Sequence, residues 1–351
     1  MSLIFDFSNK NIGIGAVSGF PPIGKPLMAG NLDVSDFRSA DKYLLGYQTS
    51  AKVVKSDRET YILYLAPARY SFTLAQMRTP DGDIPNTCPD ASPECIATCL
   101  NISGRSMIEL QAQKNLGKNV KTFAGLGNIL QRRILRTALF YWYPELFYNK
   151  LESELLAAAE KFPTERIAIR LNGTSDIDMI TPLARKGVLN KLPRNFVFYD
   201  YTKDPMRAGL FKLPSGHTYV VTFSRSEINT PMALKMLEKG NVVAVVFRNK
   251  LPKKWFGYDV IDGDLADDIM IDLAEGKYVE KEKEWTGKYD SKKKKIYKKV
   301  PTGNVYNFKW GQQKGYVLGL SAKGTLGKFT SKKGAAGFVI DCDNYTDCRV
   351  G

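Results

Sequence analysis

Arg166–Asp176 reads RIAIRLNGTSD, and Phe196–Lys203 reads FVFYDYTK. Each is an apolar run that stops abruptly in a polar cluster. A strand with several consecutive apolar positions buries both of its faces. That is the pattern of a parallel sheet covered by helices, not of a half-exposed antiparallel sheet. The same grammar recurs in Tyr61–Ala66 (YILYLA), Tyr219–Phe223 (YVVTF, then SRSE), Val242–Phe247 (VVAVVF), Val317–Leu320 and Phe338–Ile340. Helical stretches lie between these runs. Ser106 to Phe162 is mostly helical, with an aromatic run at Leu139–Tyr143 and a fresh start at Pro144. Leu183–Leu189 and the segment PMALKMLEKG follow. Repeated strand-then-helix units predict an α/β fold, a partial or complete (β/α) barrel-like parallel sheet. In such folds the residues that carry function gather where strands end, so the polar clusters should converge on one face.

The chain is 351 residues long, enough for one large domain or two ordinary ones. Its 44% hydrophobic content, with 18 Tyr and 18 Phe, excludes global disorder. No apolar run approaches the roughly 20 residues of a membrane span, so no membrane partner is expected. The opening MSLIFDFSNKNIGIG has no basic segment ahead of an apolar one, so no secretory signal is expected. Gly13, Gly15 and Gly19 lack the spacing of a dinucleotide loop and read as an ordinary loop. The formal charge is +15, from 51 Lys and Arg against 36 Asp and Glu, which favours a polyanionic partner.

The organisation reads as four segments. Residues 1–60 are Gly- and Pro-rich and pack on the core. Residues 61–274 form the α/β core with a Cys loop. Residues 275–314 are a Lys-rich, aromatic insertion, and residues 315–351 complete the core and carry a Cys pair.

The sharpest local signal is the segment Thr87–Leu100, TCPDASPECIATCL, in which Cys88, Cys95 and Cys99 follow a C-x6-C-x3-C spacing. A secreted, disulfide-stapled chain would spread an even number of Cys through its length. Three thiols clustered on one loop point instead to metal chemistry in a reducing cytosol. Thiolates favour an iron–sulfur cluster or zinc over hard cations. Cys342 and Cys348 form a second pair. They either complete a four-Cys zinc site with two of the first three, or ligate the fourth iron of an iron–sulfur cluster held by those three, or are plain free thiols.

The strand ends supply the remaining candidates. Asp176, with Asp178 beside it, is a substrate-binding, general-base or nucleophilic carboxylate, or else a helix cap. Asp200 and Lys203 are catalytic candidates, or a buried Asp–Lys pair. Asn172, Ser224 and Arg225 are candidates for holding a cofactor's phosphate or carboxylate, with Arg225 as the bidentate donor. Helix-start capping accounts equally well for Ser226 and Glu227. The patch Asp262, Asp264, Asp267 and Asp268 lacks calcium-loop spacing and reads as a solvated turn before a short helix. Lys323 sits in a Gly-rich run that does not match a phosphate loop, and His217, the single histidine, reads as a loop residue.

Between Lys277 and Lys299 ten Lys face three Glu and one Asp, so much of the excess charge is local. Lys292, Lys293, Lys294 and Lys295 suit phosphate contacts, and Trp285 and Tyr297 suit base stacking, as in an arm that grips flexible nucleic acid. A solvated hairpin whose lysines protect its edges explains the same residues.

In placement, the Cys loop resembles that of radical S-adenosylmethionine enzymes. There a three-Cys loop, spaced C-x3-C-x2-C, follows the first strand of a partial barrel and leads into its first helix. The resemblance implies an iron–sulfur cluster with one iron left open for S-adenosylmethionine. A wider resemblance rests on YLAPA, CPDASPECIATCLNISGR, RLNGTSDI, FYDYTK, TFSRSE, NVVAVVF, LPKKWFGYDVIDGD and GLSAKG, which occur in that order. These runs are similar to the bacteriophage- and plasmid-encoded "gene product 88" group, over Tyr61–Leu273 and again over Gly315–Val339. The resemblance implies a mobile-element origin and action in the cytoplasm of a bacterial host, and it carries no activity to transfer. The basic segment 275–314 lies outside it.

Three functions compete. The first is a radical S-adenosylmethionine-like enzyme that modifies a nucleotide or nucleic acid. The second is a zinc-containing base-exchanging transglycosylase, similar in architecture to the tRNA-guanine family, with Asp176 or Asp200 as nucleophile. The third is a non-enzymatic basic nucleic-acid-binding protein with a structural metal. The sequence sets no oligomeric state.

Overall fold

The structure is a computed structural model that describes residues 43–48, 56–67, 83, 85–102, 104–118, 125–248, 250–289, 295–322 and 337–350. Gly13, Gly15, Gly19, Lys292, Lys293, Lys294 and Lys323 lie outside the described residues.

Fourteen strands are described. They are β1 (Leu45–Tyr47), β2 (Glu59–Leu63), β3 (Ile167–Arg170), β4 (Phe196–Thr202), β5 (Gly209–Lys212), β6 (Thr218–Ser224) and β7 (Val243–Phe247), followed by β8 (Lys254–Trp255), β9 (Tyr258–Asp262), β10 (Lys277–Tyr289), β11 (Lys295–Asn307), β12 (Val317–Ser321), β13 (Val339–Ile340) and β14 (Asp347–Cys348). The described helices are α1 (Pro93–Ala97), α2 (Arg105–Asn115), α3 (Asn128–Trp142), α4 (Pro144–Lys161), α5 (Ile180–Arg185), α6 (Val188–Lys191), α7 (Thr230–Glu238) and α8 (Ile269–Ala274).

All seven apolar runs fall in or against strands, and the segment PMALKMLEKG begins inside α7. Pro144 opens α4, where its missing N–H costs no hydrogen bond. Twelve strands form one sheet in the order β1-β2-β3-β4-β6-β7-β12-β9-β8-β14, with β5 on β6 and β13 on β7. From β2 through β9 every neighbour along that path is parallel. Strands β2, β3, β4, β6 and β7 lie side by side in chain order, as in a singly wound sheet. The described pairings do not join β1 to β14.

Side chains alternate between two covered faces. Ile167, Ile169, Phe196, Phe198 and Val221 pack under α3 and α4 with Leu130, Ile134, Leu151 and Leu155. Further along that face, Phe223, Val243 and Val245 pack under α7. Ala168, Val197, Tyr199 and Val220 point the other way, against Ile269, Met270, Ile271 and Leu273 of α8. Burial on both faces is what the continuous apolar runs require.

Two sequence expectations are corrected here. The acidic turn before α8 is not solvated. Asp267 and Asp268 are buried; Tyr199 donates to Asp267 at 2.7 Å, and Arg58 donates to Asp268 at 2.8 Å. Arg58 also donates to Asp272 at 2.6 Å and Glu275 at 3.1 Å. One buried guanidinium thus ties the entry to β2 to α8, and buried charges persist only when paired in this way.

Within the basic segment β10 and β11 form an antiparallel two-stranded ladder. Among the described residues these two strands pair only with each other, with Trp285 opposite Tyr297. The root of this ladder is not a free arm. Tyr278 and Phe308 are buried against α8, and Tyr306 stacks on Tyr278 with ring centroids 5.9 Å apart. No helix of the described residues is long and apolar enough to cross a membrane.

Candidate active site

The chain leaving β2 and the turn leaving β3 are stitched together. Gly173 N–H donates to Leu63 O at 2.8 Å, and Thr174 Oγ1 donates to Leu65 O at 2.6 Å. A Cβ on Gly173 would stand 2.6 Å from the Tyr64 ring and 2.7 Å from Leu63 O, so the turn needs a glycine for close approach. Thr87 Oγ1 donates back to Ala66 O at 2.8 Å, and Asp176 N–H donates to Thr87 O at 2.7 Å. These bonds lay the Cys loop across the C-terminal ends of β2 and β3.

Cys88 follows directly, its Sγ 3.6 Å from Thr174 O. Ser92 then caps α1, accepting from Cys95 N–H at 3.3 Å, and Pro93 occupies the first helical position. Cys99 follows the end of α1. All three cysteines are half-buried and outside any disulfide. Burial pushes the Cys99 thiol up, with the neighbouring Cys95 adding to the effect.

The exit of β4 brings Lys203 into this group. Burial alone would lower its pKa, but Cys95, Asp176 and Cys88 raise it, so the ammonium stays charged. Its backbone N–H donates to Asp176 Oδ2 at 2.8 Å. Arg207 Nη1 donates to Asp176 Oδ1 at 2.7 Å, and Nη2 donates to Ile177 O at 2.9 Å. Asp90, inside the Cys loop, feels the same group. Desolvation raises its carboxyl pKa, and Asp176 and Asp204 raise it further. Three thiols, two cations and two carboxylates therefore share one strand-end face. Arg207 and Asp90 were not singled out from the sequence, although each lies within four residues of a residue that was.

Other predicted site residues serve the frame. Asp200 is buried; it accepts from Asn172 N–H at 2.8 Å, Asn172 Nδ2 at 3.0 Å and Tyr219 Oη at 3.2 Å. Burial raises its carboxyl to about 6. Asn172 spends its remaining groups on Ser175, Ile177 N and Ile177 O. Both hold the β3 exit turn from behind. Arg225 is fully buried, at 0% exposure. It donates to Thr230 Oγ1 at 2.9 Å and to the carbonyls of Gly337 and Phe338, so its fork is turned inward. Ser224 ends β6, and its carbonyl accepts from Asn229 Nδ2. The helix-capping role falls to Asp178, which accepts from Ile180 N and Thr181 N at 3.1 and 3.0 Å. His217 is buried just before the N-terminal end of β6, at the other end of the strands from the Cys loop, between Ser215 Oγ and Pro193 O, and burial lowers its pKa.

The terminal cysteines are not thiolate ligands in this structure. Cys342 and Cys348 are bonded to each other, with their Cα atoms 5.5 Å apart. Cys348 lies on β14, beyond β9 and β8 at the far end of the sheet from β2. A disulfide sulfur offers no negative charge to a metal, so the pair cannot complete a site with the Cys loop in this state.

Among the described residues, no group of three His, Cys, Asp or Glu side chains stands as a site for a metal ion. The loop offers three sulfurs and no histidine, donors that would suit a soft, thiolate-bound metal better than a hard cation. In a cluster each thiolate binds a different iron, so the sulfurs need not close on one ion.

The family model for gene product 88 matches residues 44–299. The chain therefore belongs to the gene product 88 family. The matched span covers the Cys loop, the ends of β3, β4 and β6, and all of β10. It thus extends into the basic hairpin, beyond the Tyr61–Leu273 span that carries the sequence resemblance. No curated protein and no solved structure matches the chain significantly.

Proposed function

We propose that this member of the gene product 88 family is an iron–sulfur enzyme of the radical S-adenosylmethionine kind that modifies a nucleotide or nucleic acid. The observation that carries the reading is the gathering of Cys88, Cys95 and Cys99 around Lys203 on the C-terminal face of a parallel sheet. In this reading the three thiolates hold the cluster and leave one iron unligated by protein. Such a cluster, once reduced by an external one-electron donor, would supply the electron for reductive cleavage of S-adenosylmethionine. Lys203 offsets the negative charge of the thiolates, and Asp176, fixed by Arg207, orients an amine or hydroxyl of the bound molecule. Zinc held by the same thiolates, in a base-exchanging transglycosylase-like enzyme, is the alternative, because thiolates serve both metals.

The core carries the chemistry and the basic hairpin carries the polyanion. The exposed Trp285, paired across the ladder with Tyr297, gives a base a surface to stack on.

The test is iron, sulfide and zinc content with the visible spectrum of anaerobically purified protein, beside a Cys88→Ala, Cys95→Ala, Cys99→Ala triple variant. The reading expects about three to four irons per chain, a brown colour and loss of both in the variant. One zinc per chain and no colour sinks it.

A further inference from the structure

Glu227 follows β6, yet its carboxylate is spent on the Cys loop. Oε2 accepts from Ser92 Oγ at 2.7 Å, and Oε1 accepts from Glu94 N–H at 3.0 Å. Ser92 is buried and in turn accepts from Cys95 N–H at 3.3 Å. Two hydrogen bonds therefore separate Glu227 from the backbone of Cys95. On the other side, Glu94 Oε2 accepts from Phe338 N–H at 2.5 Å. The Phe338 ring lies 5.5 Å from Lys203 Nζ, and Lys203 stands beside Cys95. The contacts form a closed circuit: Glu227, Ser92, Cys95, Lys203, Phe338, Glu94 and back to Glu227.

We propose that Glu227 is a positioning residue that clamps α1 and so fixes the direction in which Cys95 presents its sulfur. The role rests on the reading of Cys95 as a cluster ligand, but the clamp itself is a property of the protein alone. α1 has only five residues and buries none of them fully, so its own packing cannot fix its orientation. Cys88 is held separately, through Thr174 and the β3 turn. A fault at Glu227 should therefore reach Cys95 and spare Cys88. A carboxylate that accepts two hydrogen bonds in a half-buried place holds more firmly than a neutral acceptor.

The test is the rate of iodoacetamide labelling at each cysteine of the metal-free, full-length protein, read by peptide mass spectrometry. Glu227→Ala is expected to speed labelling of Cys95 roughly tenfold, the scale of one charge-assisted hydrogen bond, with Cys88 changed less than about twofold. Ser92→Ala cuts the same path from the other end and should give the same selectivity, should Glu227→Ala fail to fold. Glu227→Gln keeps an acceptor for Glu94 N–H and should restore most of the protection. An unchanged Cys95 rate, or equal acceleration of Cys88 and Cys95, overturns the proposal. Iron content of the wild-type protein is scored separately. An iron-free wild type with a Cys95-selective effect removes the cluster and keeps the clamp; an iron-loaded wild type without that effect removes the clamp and keeps the cluster.

Discussion

Lys203 N–H donates to Asp176 Oδ2 at 2.8 Å, so the exits of two adjacent parallel strands are held by one carboxylate. The same Asp176 accepts from Arg207 at 2.7 Å, and the two side chains of that ion pair are 11% and 18% exposed. Removing one partner of a largely buried pair leaves an uncompensated charge. Asp176→Ala should cost about 3 kcal/mol of folding stability, and Asp176→Asn less, because it keeps an acceptor for Lys203 N–H. Urea titrations of the two variants beside the wild type measure this.

Lys203 brings its ammonium to Cys95 and Cys88. A cation beside a thiol favours the reactive thiolate. At Cys99 the Lys203 ammonium opposes the upward push of burial, so Lys203→Met should slow alkylation of Cys99 at pH 8 severalfold, and Lys203→Arg should retain much of the rate. Cysteine-resolved labelling reads this. A Lys203→Met protein that labels as fast as wild type would show that the ammonium does not act on the thiols.

The Asp200 carboxyl is held up at about 6, chiefly by burial. In the unfolded chain it ionises near its ordinary value of about 3.9. Between those values the folded state binds more protons than the unfolded state. Stability contributed by this group is therefore present at low pH and declines as pH rises through about 4 to 6, by on the order of 3 kcal/mol. Asp200→Asn should flatten that part of the profile. Unfolding free energies at pH 4, 5, 6 and 7 for both proteins test the sign as well as the size.

Trp285 is 45% exposed on the basic hairpin. If it stacks on a base, Trp285→Ala should weaken binding of a single-stranded oligonucleotide by about 1–3 kcal/mol. Because stacking is not charge neutralisation, the slope of log affinity against log salt should stay unchanged. Fluorescence anisotropy at three salt concentrations separates the two effects, and iron content should be the same in variant and wild type.

Gly173 is fixed by close approach and not by backbone handedness. Gly173→Ala should destabilise the fold by about 1–3 kcal/mol, since the Tyr64 ring and Leu63 O occupy the space a methyl needs. Thermal melts of the variant measure the cost.

Much of the core was legible because burial on both faces leaves a strong trace in one dimension. Runs such as IAIR, FVFY and VVAVVF cannot sit half in water, and each is a strand of the parallel sheet. The short strands β1, β5, β8 and β14 left no such trace. Their hydrogen bonds depend on neighbours already in place, and a run of two to four residues carries too little periodicity to read. Burial of Asp267 and Asp268 was equally hidden, because Arg58, the cation that pairs Asp268, lies 210 residues away in the chain.

By itself, the sequence determined that the protein is an α/β chain whose strands end in polar clusters, with three thiols on one loop and a Lys-rich aromatic segment. Composition and apolar spacing suffice for that, since they record which surfaces must leave water. Only the tertiary structure decided which polar residues face the thiols and which brace the frame. It turned Asp200, Asn172 and Arg225 inward, brought Arg207 and Asp90 to Asp176, bonded Cys342 to Cys348, and set Glu227 against α1. The physical reason is that a hydrogen bond or ion pair is made by whichever partner the packed sheet brings within about 3 Å, and separation along the chain does not enter into it.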